Sequence, residues 1–308
     1  MRRAQAFIGG LTAVLALLVS APTPAAETDR ELAFVRGEGS ATDVYVVRED
    51  GSGLRRLTTS RGADYSPIWS PDGEHILFVS SRDGDDELFV MDAAGKNVRQ
   101  LTRNRQRDLT PHWSPDGRLI AFASDRARVG ETEIWVMRAD GTDARRLVKT
   151  LDHPSWQDTQ YSPVWSPDGK RLIFSMAATD SNPELYVVGV DGKGLKRLTK
   201  TAGGLDVFGD DTMPDWAEDG KTVLFVSNRE QKSSDIWTMP PNGSGQRPVA
   251  RRPTTDDWNP RLSPDGRTIA FTERVVTSGR VSVSLMNRNG TNARRLLAGA
   301  EPDWRPTR

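Results

Sequence analysis

Ser66-Pro67-Ile68-Trp69-Ser70-Pro71-Asp72-Gly73 opens a unit that the chain repeats. Pro67 to Ser70 reads as a short strand. Pro71-Asp72-Gly73 is turn chemistry: proline presets φ, aspartate caps the turn and glycine takes the left-handed position. Ile76-Leu77-Phe78-Val79 is a second strand, followed by the polar loop Ser81 to Asp86. Leu88 to Met91 is a third strand, Ala94-Gly95 a turn, and Val98 to Leu101 a fourth strand. Four short strands joined by tight turns predict an antiparallel meander.

The unit recurs at Pro67–Trp69, Pro111–Trp113, Pro163–Trp165, Pro214–Trp216, Pro260–Leu262 and Pro302–Trp304, with prolines 44, 52, 51, 46 and 42 residues apart. A period of this size with several strands per unit is the mark of a propeller blade. Second strands carry Phe34, Phe78, Phe122, Phe174, Phe225 and Phe271, and five of the six third strands carry an aromatic. The strands are apolar on both faces, as stacked sheets require. The fold predicted for residues 27–308 is therefore all-β, a six-bladed propeller of four-stranded antiparallel blades. Leu32-Ala33-Phe34 reads as a second strand with no first, and Pro302-Asp303-Trp304 as a first strand with no second. Their pairing, with Trp304 beside Phe34, is the expected closure of the ring.

Residues 1–26 read as a secretory signal peptide: Arg2 and Arg3, an apolar run from Ala6 to Val19, then small and helix-breaking residues to Ala26. The run is shorter than a bilayer span. An exported protein, periplasmic or extracellular, without a transmembrane anchor after cleavage, is the expectation. The absence of cysteine excludes disulfides, thiol nucleophiles and thiolate metal sites. Acidic and basic residues balance at 42 each, which gives no electrostatic case for nucleic acid.

The Ser-Pro-Ile-Trp-Ser-Pro-Asp-Gly string at 66–73 and its counterpart Ser162-Pro163-Val164-Trp165-Ser166-Pro167-Asp168-Gly169 resemble the WD40-like (PD40) repeat of the TolB family. Ile134-Trp135-Val136-Met137 and Arg145-Arg146-Leu147 extend the likeness. The resemblance implies a six-bladed propeller closed between its two ends. It also implies a departure, since only a few residues separate the leader from the first strand where TolB carries an α/β domain. Related propellers precede hydrolase domains, but no Gly-x-Ser-x-Gly elbow occurs in the sequence.

Two sets of residues are candidates for function. Loops between fourth and first strands vary in length on one face, and variation confined to one face marks a binding side. They contribute His153, Trp156, Asp158, Asp206, Phe208 and Trp258 as partner contacts. The alternative is that these aromatics pack down their own loops. Asp64, Asp108, Asp211 and Asp257 lie three residues before the proline of their blades, with Asp210 and Asp256 beside them. Carboxylates converging on one channel entrance repel unless a cation bridges them, and an oxygen-rich site suits Ca²⁺, which related propellers hold. The alternative is six local turn caps. Asp43, Glu87, Glu133, Glu184 and Asp235 recur before third strands and read as scaffold, as do Arg82, Arg126 and Arg229. The function expected is a non-enzymatic binding propeller that engages a protein, peptide or cell-envelope component. The alternative is a carbohydrate-active or hydrolytic enzyme using the channel-mouth carboxylates with a divalent metal.

Overall fold

Alternating turn and strand signals resolve into six sheets of four antiparallel strands in the computed structural model, which describes residues 30–127, 129–148, 162–177, 182–201, 209–230 and 233–307. Blade one holds β1 (Glu31–Arg36), β2 (Asp43–Arg48) and β3 (Arg55–Arg56). Blade two is β4 (Asp64–Trp69), β5 (His75–Ser80), β6 (Glu87–Asp92) and β7 (Arg99–Gln100). Blade three is β8 (Asp108–Trp113), β9 (Leu119–Ser124), β10 (Glu133–Arg138) and β11 (Arg145–Val148). Blade four is β12 (Val164–Trp165), β13 (Arg171–Met176), β14 (Glu184–Gly189) and β15 (Lys196–Arg197). Blade five is β16 (Asp211–Trp216), β17 (Val223–Ser227), β18 (Asp235–Met239) and β19 (Arg247–Pro248). Blade six is β20 (Thr255–Leu262), β21 (Thr268–Val275), β22 (Val281–Asn287) and β23 (Arg294–Leu297).

The last strand, β24 (Ala300–Trp304), returns to β1 and completes blade one, with Leu32 opposite Trp304 and Ala33 opposite Asp303. The expected closure is therefore present. Leu32, Phe34, Val47 and Trp304 form one apolar cluster with Ala270, Val283 and Leu285 of blade six.

The six second-strand phenylalanines are all fully buried. Side chains gather into six clusters, each straddling two neighbouring blades. Burial thus lies between blades and leaves no sheet face open. Third-to-fourth turns take part in this packing. Gly243 sits at φ +85°, and a Cβ there would meet the Leu198 carbonyl oxygen of blade four at 2.4 Å. Glycine serves both the left-handed turn and the close approach of two backbones.

First strands form the inner edges of the blades. In five of them the residue before the proline is left-handed: Ser66, Thr110, Met213, Asn259 and Glu301, with φ between 45° and 53°. The pairing register shifts at each of these places. A bulge with proline blunts an edge strand, because proline offers no N–H to another chain. It also re-aims the residue that follows, which places that residue at the channel.

Candidate functional site

The middle residues of the six Pro-x-Trp or Pro-x-Leu triplets line the channel, Ile68, His112, Val164, Asp215, Arg261 and Asp303, and five of them follow a bulge. On the Ser-Pro-Asp-Gly side the channel opens into a funnel of about 420 Å³. Its wall carries Trp69, Trp113, Trp165, Trp216 and Trp304, and its lip carries Pro71, Pro115, Pro167, Pro264 and Pro306. Deeper along the axis is a chamber of about 50 Å³ bounded by Ser66, Thr110, Ser162, Asn259 and Glu301. Ile68, His112 and Arg261 line both spaces and form the neck between them.

The funnel floor is ionic. Arg261 Nε lies 3.4 Å from Asp303 Oδ1, and its Nη1 lies 3.5 Å from Asp215 Oδ1. Each aspartate also accepts a backbone N–H from the next blade, Asp303 from Trp69 at 2.8 Å and Asp215 from Leu262 at 2.9 Å. Burial pushes the Asp303 carboxyl up to about 7 against the pull of Arg261, with Asp215 raising it further. Burial raises Asp215 as well, and raises Glu218 at the lip with Asp215 adding to it. His112 is driven down to about 3, first by burial and then by Arg261. The neutral imidazole lies with Nδ1 3.0 Å from the Trp113 carbonyl oxygen, so Nδ1 carries the proton that it donates there.

The aspartates at the opposite entrance are held one by one. Asp64 Oδ1 meets Arg82 at 3.0 Å and accepts from Ser80 Oγ at 2.5 Å. Asp108 meets Arg126 at 2.6 Å, and Asp211 pairs with Arg229. Asp256 meets Arg274 at 2.6 Å, and both oxygens of Asp257 lie 3.1 Å from Arg252. Asp210 donates its backbone N–H to Asn228 Oδ1. The first three arginines also lie over the paired aromatics of their own blades, as Arg126 does over Phe122 and Trp135 at 5.0 Å each. These guanidinium groups relieve the repulsion for which a bridging cation was invoked. Among the described residues, no three His, Asp or Glu side chains are grouped so as to hold a metal ion.

Of the loop candidates, His153, Trp156, Asp158, Asp206 and Phe208 lie outside the described residues. Trp258 sits in β20, half-buried, with the Arg274 guanidinium 5.0 Å above its ring. The funnel lies on the Ser-Pro-Asp-Gly face, where none of the contact or metal candidates expected from the sequence falls. The signal was present within the repeat itself. The middle position of the triplet carries four ionisable residues, and blade five places Glu218 where the other blades place proline.

Comparison with known proteins gives a consistent picture. A family model described as the TolB beta propeller domain matches residues 23–157 and 152–307. The Tol-Pal system protein TolB of Bordetella pertussis is 31% identical over 161 residues, which is 52% of this chain and 35% of that protein. A TolB homologue of Chlorobium luteolum is 54% identical over 43 residues, 14% of this chain and 10% of its own length. The chain therefore spans well under two thirds of these curated relatives. The crystal structure of TolB from Acinetobacter baumannii superposes with a TM-score of 0.77 at 21% identity, covering 90% of this chain and 67% of that one.

Proposed function

The chain belongs to the TolB β-propeller family, and on that premise we propose that it is an exported binding propeller. It engages a protein, peptide or cell-envelope component through the mouth of its channel, with the variable loop face as a second contact surface. The observation that carries this reading is where the repeat breaks. Scaffold positions recur with the blade, as the buried phenylalanines do. His112, Glu218 and Arg261 each occur in one blade only, the aspartate of the triplet occurs in two (Asp215 and Asp303), and all five line one funnel. A concave, largely aromatic wall with a few convergent polar groups is the usual form of a binding site.

The acid–arginine pairs at the other entrance favour binding over turnover. Carboxylates already neutralised by a guanidinium are poor candidates for general acid, general base or calcium ligand, and we read them as structural. No helix among the described residues is long and apolar enough to cross a membrane, and the leader-like residues 1–26 support export. The name of the Bordetella relative places that protein in a Tol-Pal system; an envelope partner for this chain is part of the proposal.

The test is capture of partners from the cell's own envelope fraction by the whole exported protein. It is repeated with Glu218→Trp, which crowds the funnel, and with the loops at 149–160 and 200–212 shortened. A partner lost with Glu218→Trp at unchanged melting temperature supports the reading. Capture that survives both the funnel and the loop variants overturns it.

A further inference from the structure

The funnel is two-faced. On the side of blades two to four its wall is apolar, formed by Ile68, Trp69, Trp113 and Trp165 with the lip prolines above them. On the side of blades five, six and one, beside Trp216, Leu262 and Trp304, it adds Asp215, Glu218 and Asp303 against a single cation, Arg261. His112 adds no charge, because it is held neutral.

We propose that the funnel takes an apolar segment bearing one basic group, with the ammonium or guanidinium set against Asp215 and Glu218. This deepens the binding reading above and rests on it. Three acidic side chains face one guanidinium: Asp215 is buried, Asp303 half-buried and Glu218 exposed at the lip. Desolvated charge of one sign is costly unless a partner enters with the opposite sign. Two of the three acids are already engaged, since Asp215 and Asp303 share Arg261 and hold backbone N–H groups. Glu218 has no hydrogen-bond or ion-pair partner among the described residues, and it stands at the lip where a guest enters. Burial raises the carboxyls of Asp215, Glu218 and Asp303, and a cation brought beside them would favour their charged forms.

The geometry separates this guest from others. An anionic guest meets net repulsion. A neutral apolar guest fills the tryptophan side but strips water from the acids without replacing it. A bare metal ion needs several ligands close together, and no such group is present among the described residues. An organic cation on an apolar stem satisfies both walls at once. The volume of about 420 Å³ is within the range of small-ligand pockets and accommodates one long side chain with its immediate neighbours.

The test uses three blocked peptides with the whole exported protein: acetyl-Pro-Leu-Lys-Leu-amide and its norleucine and glutamate counterparts at the lysine position. Binding is followed by tryptophan fluorescence and by backbone amide shifts. The lysyl peptide should bind about tenfold more tightly than the norleucyl one at low salt, and the preference should shrink as salt rises. Glu218→Gln should reduce the preference, and Glu218→Lys should shift it toward the glutamyl peptide, with melting temperatures unchanged. Equal or tighter binding of the norleucyl peptide overturns the basic-group assignment while leaving the funnel a peptide site. Failure of all three peptides at millimolar concentration overturns the assignment and the funnel reading together.

Discussion

Asp303 accepts the backbone N–H of Trp69 at 2.8 Å, so the strand that completes blade one also grips blade two. Glu301, two residues earlier, does the same for Ser66 at 2.6 Å. One five-residue strand thus closes the ring and supplies Asp303 to the funnel floor.

That relationship makes stability depend on pH. The folded-state carboxyl of Asp303 titrates at about 7 because burial disfavours its charge, well above the ordinary value near 4. Its contribution is fully present below about pH 4 and is lost as pH rises through about 7. His112 acts in the opposite sense: held neutral down to about 3, it withdraws stability as pH falls below the ordinary histidine value of about 6.5. Asp303→Asn keeps an acceptor for Trp69 and removes the titration. Urea unfolding should therefore show the variant gaining on the parent between pH 5 and pH 8. Parallel curves across that range would contradict the account.

The acid–arginine pairs carry a second expectation. Asp108 is fully buried and depends on Arg126, with Asn104 as a further donor. Arg126→Met leaves that charge largely uncompensated and should cost about 3–5 kcal/mol. Arg138→Met, which breaks the exposed pair with Asp143, should cost less than about 1 kcal/mol. Added calcium should leave the melting temperature of the parent unchanged. A calcium-dependent rise abolished by Asp211→Ala with Asp257→Ala would instead assign the entrance to an ion.

Two glycines separate turn chemistry from blade contact. Gly169 and Gly243 both hold positive φ, but only Gly243 has a neighbouring backbone where a Cβ would go. Gly169→Ala should cost about 1 kcal/mol for the left-handed conformation alone. Gly243→Ala should cost distinctly more, because blades four and five must part to admit the methyl group. Equal losses in melting temperature would show that the interblade approach carries no weight.

Trp304 is buried between blades one and six and donates its indole N–H to the Arg261 carbonyl at 3.0 Å. Trp304→Ala should cost about 3–5 kcal/mol, a loss of roughly 6–20 °C in melting temperature for a domain of this size. An unchanged melting temperature would remove the last strand from the ring's fastening.

The blade period was legible because turn residues punctuate it: Pro71-Asp72-Gly73 and Asp140-Gly141 have few other uses at such regular intervals. Closure was legible because Phe34 lacks a first strand and Trp304 lacks a second. The pairing of Asp108 with Arg126 was not, because a separation of 18 residues becomes contact only once strand register is known. Its trace is the same separation in Asp64–Arg82, Asp211–Arg229 and Asp256–Arg274. The funnel was hidden for a different reason. Asp215 and Arg261 are 46 residues apart and meet only because bulges in two blades aim them at one axis.

The account depends most on β24 lying beside β1, and a cross-link measures this directly. The chain contains no cysteine, and Val35 and Ala300 are opposite one another in the pairing of these strands. In the doubly substituted protein Val35→Cys with Ala300→Cys, oxidation should give a single intramolecular disulfide, seen as a monomer of altered mobility with no free thiol and a raised melting temperature. Two persistently free thiols in the folded monomer, or disulfide-linked dimers alone, would contradict a ring closed by its last strand.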